Sequence, residues 1–518
     1  MSDVTIIADI VLTCRSPITG KAKGIFPPYG LLLLASQMPQ TINGCHILTR
    51  IWDESTDGYY DPRISKPDLL LISSLTQGMR STERIAMAAM NTRSHEGNKI
   101  KIMIGGVHVT ALPFESLFYS NIVVRGEVTL PFQHHLVKRL WKMDPSEKEI
   151  WRLTEIPQII DRPPVDWSLI SKENYMLPFG ILSCVGCPWD CSFCSVTSTF
   201  GCKVRYVTEA CLDAELAGIP KGSDVVLYDD NFLPTINRTF VDKSMNIVEK
   251  LANAGVKTIA EVSPKTLCLA QDYVKKHDNQ NFIQFCADRG VQGFFLGLES
   301  VNPNSDLKKT IDIDKSASII RQCQSSGIGV LGSFVLKPED LVVGPKNPPY
   351  EDQLLDYMIN KANLDLMIIG IATPYPGSLD FINAIRNDTL DHQGWDRYNA
   401  EYSLVTHPSV SHACLENTLR SIIRSFYGFS SITKRTVAPL FKDWSAWQRF
   451  RFGLPVNMIF NAKSRNWERK LDKESASIQD RYDIDPKTIE RVRIAISENP
   501  TKPKLFDISK ADSISNLF

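Results

Sequence analysis

A chain of 518 residues and 58.3 kDa is too long for one ordinary core, so two or three domains are expected. Its 58 Lys and Arg residues balance 58 Asp and Glu, which argues against a general nucleic-acid or membrane-surface binder. The longest apolar run, YGLLLLA at 29–35, is too short to span a bilayer, and no basic-then-apolar signal opens the chain, so a cytoplasmic protein without a membrane span is expected.

Residues 1–145 alternate short β-branched runs with helical patterns. The runs are 4–12, 45–52, 68–74, 100–106 and 121–126; helix-like stretches such as STERIAMAAMNTR lie between them. This rhythm predicts an α/β domain with a doubly wound, Rossmann-like parallel sheet. Such sheets bind ligands at the carboxyl ends of their strands. Those ends carry Ser73, Ser74 and Thr76, then Gly105, Gly106 and His108, then Gly126 and Glu127. The glycines there suit close approach of a large flat ligand, or are ordinary turn residues. No GxGxxG is present, so a nicotinamide site has no support. Residues 146–178, rich in proline and aromatic residues, read as an extended connector.

From 179 a second series begins, with strands expected at 179–184, 223–230, 256–263, 291–300, 328–336 and 364–373. Six βα units suit a partial (β/α)6 barrel of TIM type over 179–395, with its chemistry at the C-terminal strand ends. Residues 396–518 lose this rhythm and read as a mostly helical third domain. It includes Trp444, Trp447 and Trp467, and residues 430–518 hold 17 Lys and Arg against 11 Asp and Glu. Such an excess suits a solvated face more often than a functional patch.

Twelve cysteines spread along the chain do not look like a disulfide framework. Four crowd into SCVGCPWDCSFCSV at 183–196: Cys184, Cys187, Cys191 and Cys194. The last three give C-x3-C-x2-C in a loop after the first barrel strand. Three thiolates this close can hold three corners of a [4Fe-4S] cubane and leave the fourth iron open to a small molecule. Adding Cys184 gives CxxC-xxx-CxxC, so structural zinc is an alternative, although three residues between the pairs are few for a closed tetrahedron. A chain that binds no metal here is the remaining alternative.

With Phe193 before the last cysteine and Gly186-Cys187-Pro188 leading in, this motif resembles the radical S-adenosylmethionine (SAM) superfamily. The resemblance implies that Cys187, Cys191 and Cys194 bind the cluster and that its open iron chelates the amino and carboxylate groups of SAM. It also implies that YDDNF (Tyr228, Asp229, Asp230, Asn231) meets the SAM amino group and that Glu299 and Ser300 of GLES meet the ribose. TPYPGS, with Thr373 and Tyr375, would cradle the adenine. Cys184 then becomes a packing residue.

The N-terminal motifs FPPYGLLLLAS, WDES, IGGVHVT and VVRGE, with PPVDWSLI in the connector, resemble the cobalamin-binding, methyltransferase-like subclass of that superfamily. By that resemblance Ser73, Ser74, Thr76, Gly105, Gly106, His108, Gly126 and Glu127 surround cobalamin. The sequence departs from other cobalamin proteins in lacking DxHxxG, which implies base-off cobalamin with no protein histidine on cobalt. Val128-Thr129 also replaces the usual acidic-glycine pair.

The implied activity is methylation of an unactivated carbon through a 5′-deoxyadenosyl radical and methylcobalamin. A radical cyclisation, rearrangement or oxidation without methyl transfer is the alternative, and a non-catalytic cluster- or cobalamin-binding regulator is a third. The cofactors carry this chemistry, while the protein positions and shields them. Expected partners are a small-molecule or peptide substrate and an electron donor such as flavodoxin or ferredoxin, with nucleic acid disfavoured by the neutral charge. Tyr375, His407 and His412 are further candidates for facing substrate, although residues of this kind are more often structural.

Overall fold

The computed structural model describes residues 5–14, 24–153, 156–234, 237–302, 312–342, 348–437 and a few positions between 440 and 461. The first domain is built on a seven-stranded sheet: β1 (Thr5–Thr13), β2 (Thr41–Ile42), β3 (Cys45–Asp53), β4 (Leu69–Ser74), β5 (Lys101–Gly105), β6 (Ile122–Arg125) and β7 (Glu149–Arg152). Their order is β2-β3-β1-β4-β5-β6-β7, with every pair parallel except the short β2 hairpin. A strand such as LLLISS, apolar on both faces, is what a parallel sheet covered by helices requires. One core lies on the side of the Met79–Met90 helix, which buries Met79, Ile85, Ala86 and Ala89; the other is closed by the Leu130–Lys142 helix.

Strand order reverses between β1 and β4, so the crevice of this sheet opens beside Thr13 and Ser74. All five expected strands are present. The sheet gains β2, and it gains β7 from residues assigned above to the connector, so it runs on to Arg152.

The second domain holds a six-stranded parallel sheet of β8 (Phe179–Ile181), β11 (Asp224–Leu227), β12 (Lys257–Val262), β13 (Val291–Glu299), β14 (Gly329–Leu336) and β15 (Leu366–Ile371), paired in that order. β8 and β15 do not pair with each other, so the barrel stays open on one side. The expected first strand is split: β8 ends at Ile181, and β9 (Cys184–Val185) turns away to pair with β10 (Arg205–Tyr206). Val225, Leu227, Ala260, Val262, Phe294 and Leu296 pack under the surrounding helices. Residues of opposite parity, such as Glu261 and Gly297, are only half-buried and line the inner face.

The two domains are joined by more than the connector. Tyr29 stacks on Tyr228 at 4.8 Å, and Arg162 donates to Glu215 at 2.9 Å in a fully buried pair, with the Tyr29 hydroxyl between them. After the barrel, Phe381, Ile382, Ile385, Trp395, Tyr398 and Tyr402 return to the first domain and complete its core around Val11, Leu70 and Ile72. From His412 the described residues are mostly helical. His412–Phe426 buries Leu415, Leu419, Ile422 and Phe426 on one face, and the neighbouring Tyr427 hydroxyl bonds the backbone of Met367 in β15. Trp444, Trp447, Trp467 and most of the basic excess lie outside the described residues.

Candidate active site

The cysteine loop is pinned from below. Asp229 accepts from the backbone N–H of Ser183 at 2.6 Å and of Cys184 at 3.0 Å, and from the Ser183 hydroxyl; Asp230 accepts from Gly186 N–H at 2.8 Å. Burial pushes the Asp229 carboxyl up to about 6 against these hydrogen bonds. Gly186 adopts φ 95°, and a Cβ there would sit 2.5 Å from the carbonyl oxygen of Lys203, so only glycine lets the loop leave β9 in this direction.

Within the loop Cys187 and Cys191 are buried and Cys194 is half-buried. Cys194 N–H donates to Cys191 O at 3.1 Å, and Val196 N–H points at the Cys194 sulfur at 3.5 Å, a contact that favours a thiolate. Among the described residues no three His, Cys, Asp or Glu side chains converge as ligands of a single ion. A cubane differs from zinc in giving each thiolate its own iron, which suits three cysteines carried on one short loop.

Cys184 is chemically distinct from these three. It is fully buried, its thiol points at Asn231 O at 3.8 Å, and burial, followed by the Asp229 and Asp230 charges, holds its pKa well above the usual thiol range. A thiol held protonated is a poor metal ligand.

Of the residues expected around SAM, Asp229 and Asp230 are engaged in holding the loop. Tyr228 is not brought to the site: its hydroxyl donates to Pro27 O at 2.9 Å, and its ring covers Gly180 and stacks on Tyr29. Asn231 differs, since it is 1% exposed and both ends of its amide are enclosed without a partner. A buried primary amide left open in this way fits a polar ligand beside the cysteines. Glu299 is buried at φ 63°, where the β13–β14 register shifts, and its carboxylate folds back over Gly297. The Ser300 hydroxyl lies 3.1 Å from that of Tyr350. Phe193 is half-buried beside Cys194; Thr373 is buried and bonds Ile371 O, while Tyr375 packs against the first domain's core.

Of the residues expected around cobalamin, several are closed inward. Ser74 and Thr82 share a hydrogen bond of 2.9 Å, and a Cβ on Gly106 would meet Ser74 O at 2.4 Å, so that glycine serves the packing of β4 against β5. His108 is fully buried, with Nδ1 3.3 Å from the Thr76 hydroxyl and its ring against Trp395. Its Nε2 lies 3.5 Å from Glu115, an ion-pair distance without hydrogen-bond geometry. Ser73 and Gly105 sit half-buried at the ends of β4 and β5.

Gly126 and Glu127 line a narrow cleft between the domains, together with Thr110, Arg125, Arg152, Leu153, Ser198, Thr199 and Gly377. Ser198 and Thr199 belong to the helix that follows Cys194, so the cleft joins the cysteine loop to the first sheet. Its walls combine glycines and small polar residues with Arg125, Glu127, Arg152, Leu153 and Ile156. Two residues of this region escaped the sequence reading. Arg205 donates to Glu127 at 3.1 Å and also meets Pro157 O and Phe200 O, fastening the cysteine loop to the first domain. Trp189, inside the loop, lies under the Lys265 ammonium at 5.2 Å from its ring centre. Neither contact leaves a local signal, since the partners are 76 or more positions apart.

Residues 15–136 match the B12 binding domain family. The chain is 25% identical over 431 residues to an uncharacterized methyltransferase of Pyrococcus horikoshii, covering 77% of this chain and 88% of that one. It is 23% identical to the bacteriochlorophyllide d C-12(1)-methyltransferase of Chlorobaculum tepidum, over 74% of this chain and 80% of the relative. To the hopanoid C-2 methylase of Rhodopseudomonas palustris it is 21% identical, over 76% and 71%. Its fold is similar to that of the cobalamin-dependent SAM radical enzyme OxsB with aqua-cobalamin bound, at a TM-score of 0.56 and 13% identity, covering 99% of this chain and 81% of that one. Residues 15–136 thus match a B12-binding domain, the chain is similar over about three-quarters of its length to proteins named as methyltransferases, and its fold is similar to that of a cobalamin-dependent SAM radical enzyme.

Proposed function

We propose that the protein is a cobalamin-dependent radical SAM methyltransferase acting on a carbon that is not nucleophilic. The observation that carries this reading is the cleft that joins the cysteine loop to the B12-binding domain, because a radical formed at the cluster and a methyl carried by cobalamin must reach the same substrate atom. When bound, the cluster with SAM supplies a 5′-deoxyadenosyl radical, and cobalamin supplies the methyl group.

The chain's own residues do the remaining work. Cys187, Cys191 and Cys194 would hold three corners of the cluster, Asp229 and Asp230 fix the loop that presents them, and Cys184 packs beneath. Asn231 offers an open amide to SAM, with Glu299 at the end of β13 and Thr373 after β15. Arg205 and Glu127 set the domain spacing, and the cleft walls at Gly126, Ser198 and Thr199 receive the corrin. The names of these three relatives, two methyltransferases and a methylase, favour methyl transfer over rearrangement. Deuterium from CD3-labelled SAM should appear in a product of the anaerobically reduced enzyme; deoxyadenosine formation with no label in any product would refute methyl transfer.

A further inference from the structure

The outer face of the half-barrel sheet packs under helices, but its inner face carries apolar side chains that no core takes up. Val226, Ile259, Phe295, Val335 and Ile368 lie on that face by strand alternation, and none joins the three buried cores of the described residues. The register sets this face in rows: Val226, Ile259 and Gly293; then Glu261, Phe295 and Leu331; then Gly297, Ser333 and Ile368. Ile368, on the strand that borders the open side, is 45% exposed.

The apolar surface continues past β8, the other edge strand. The Tyr228 ring lies over Gly180 of β8, on the face that Val226 shares, and Phe26 meets it edge-on at 6.1 Å. Leu177 N–H donates to Ile25 O at 2.8 Å, which sets Met176 beside Ile25 and Phe26. Ile25, Phe26 and Met176 are 46%, 45% and 44% exposed. Single exposed apolar residues need no explanation, but a contiguous set bordering a cleft marks a binding surface.

Acidic groups gather at the C-terminal strand ends of this face. Glu261 lines it from β12, the Glu299 carboxylate folds over Gly297, and Asp230 after β11 accepts from Gly186 N–H. Of the lysines that follow these strands, Lys265 rests over the Trp189 ring and Lys337 acts on the buried Asp340 carboxylate. An anion here would give up its hydration beside three carboxylates, whereas hydrocarbon gains its transfer free energy.

We infer that the inner face of the half-barrel, extended by Tyr228, Phe26, Ile25 and Met176, is a trough for an uncharged, largely hydrocarbon substrate. A substrate lying there has its carbon skeleton beside the cysteine loop, where the radical would form. This role rests on the radical SAM reading, which deoxyadenosine formation by the wild type tests separately.

The binding test is equilibrium dialysis of the full chain, cluster-reconstituted and saturated with SAM, against 14C-labelled decanol, dodecanol and decanoate. A single saturable site per chain is expected for decanol. Burial of each further methylene tightens binding roughly three- to fourfold, so dodecanol should bind about tenfold more tightly than decanol. Decanoate should bind roughly tenfold more weakly, or worse. Ile368→Asp, at a position already exposed, should weaken decanol binding by roughly tenfold with Tm and iron content unchanged. Glu261→Gln should leave decanol binding as it is and strengthen that of decanoate; it changes charge without shape, so the test holds whatever Ile368→Asp does to folding. Ile64→Asp, on the exposed surface of the first domain, should change neither. Absence of saturable decanol binding, equal affinity for decanol and decanoate, decanoate binding that Glu261→Gln does not move, or decanol binding that a folded Ile368→Asp chain retains would overturn the inference.

Discussion

Gly186 and Gly201 allow a matched test of how the cysteine loop is held. Both lie at positive φ, 95° and 87°, in backbone that side chains rarely adopt, so alanine at either costs about 1–3 kcal/mol of strain. They differ in what the new methyl meets. At Gly201 nothing lies within 4 Å, whereas at Gly186 it would stand 2.5 Å from Lys203 O and 3.2 Å from Gly201 O. Relieving that contact requires the loop to shift by several tenths of an ångström, away from the 2.8 Å bond between Gly186 N–H and Asp230. A hydrogen bond to a charged group is worth about 1.5–3 kcal/mol, so Gly186→Ala should cost roughly 2–4 kcal/mol more than Gly201→Ala, with the collision included. For a domain of this size that is a separation of roughly 4–15 °C in Tm. Iron and sulfide per chain after anaerobic reconstitution should fall for Gly186→Ala and stay near wild type for Gly201→Ala. Equal Tm values and equal iron in the two variants would refute the anchoring argument.

Other consequences can be checked with the same preparations. Replacing Cys187, Cys191 or Cys194 with alanine should abolish SAM cleavage and lower iron content, while Cys184→Ala should keep both; a Cys184→Ala chain without its cluster would make that residue a ligand. Arg162→Met leaves Glu215 charged and buried without its cation, so the unfolding free energy should fall by about 3–5 kcal/mol in denaturant titration. Arg205→Ala should loosen the domains: cobalamin binding, followed by its absorption bands, should weaken while iron content holds. Asp229 has its folded pKa raised to about 6 by burial. The associated stability is fully present below the ordinary value near 4 and is lost as pH rises through 6, an effect of about 3 kcal/mol. The Tm difference between wild type and Asp229→Asn, measured without cluster, should therefore change between pH 4 and 7 and be flat above.

The strands were legible because both sheets are parallel and covered. Runs such as LLLISS and VQGFFLGLE stand out from the helical periods around them. The YDDNF stretch was less legible. Sequence puts Tyr228, Asp229, Asp230 and Asn231 at one strand end, but side chains on a strand alternate, so Tyr228 and Asp229 are directed apart. One goes to the interdomain stack and the other to the backbone under the cysteines. β7 was read as connector because EIWR is short and lies on the sheet edge. The pairing of Arg205 with Glu127 and of Trp395 with Glu115 depends on domain docking, which no local pattern encodes.

The central claim is that one active site cleaves SAM in two ways, one for the radical and one for the methyl group. Quantifying SAM-derived products from the anaerobically reduced, cluster- and cobalamin-loaded enzyme tests it most directly. The account predicts both 5′-deoxyadenosine and S-adenosylhomocysteine, with deoxyadenosine lost in Cys191→Ala and S-adenosylhomocysteine dependent on added cobalamin. A fully iron-loaded protein that forms neither, or a colourless one holding a single zinc, would contradict it.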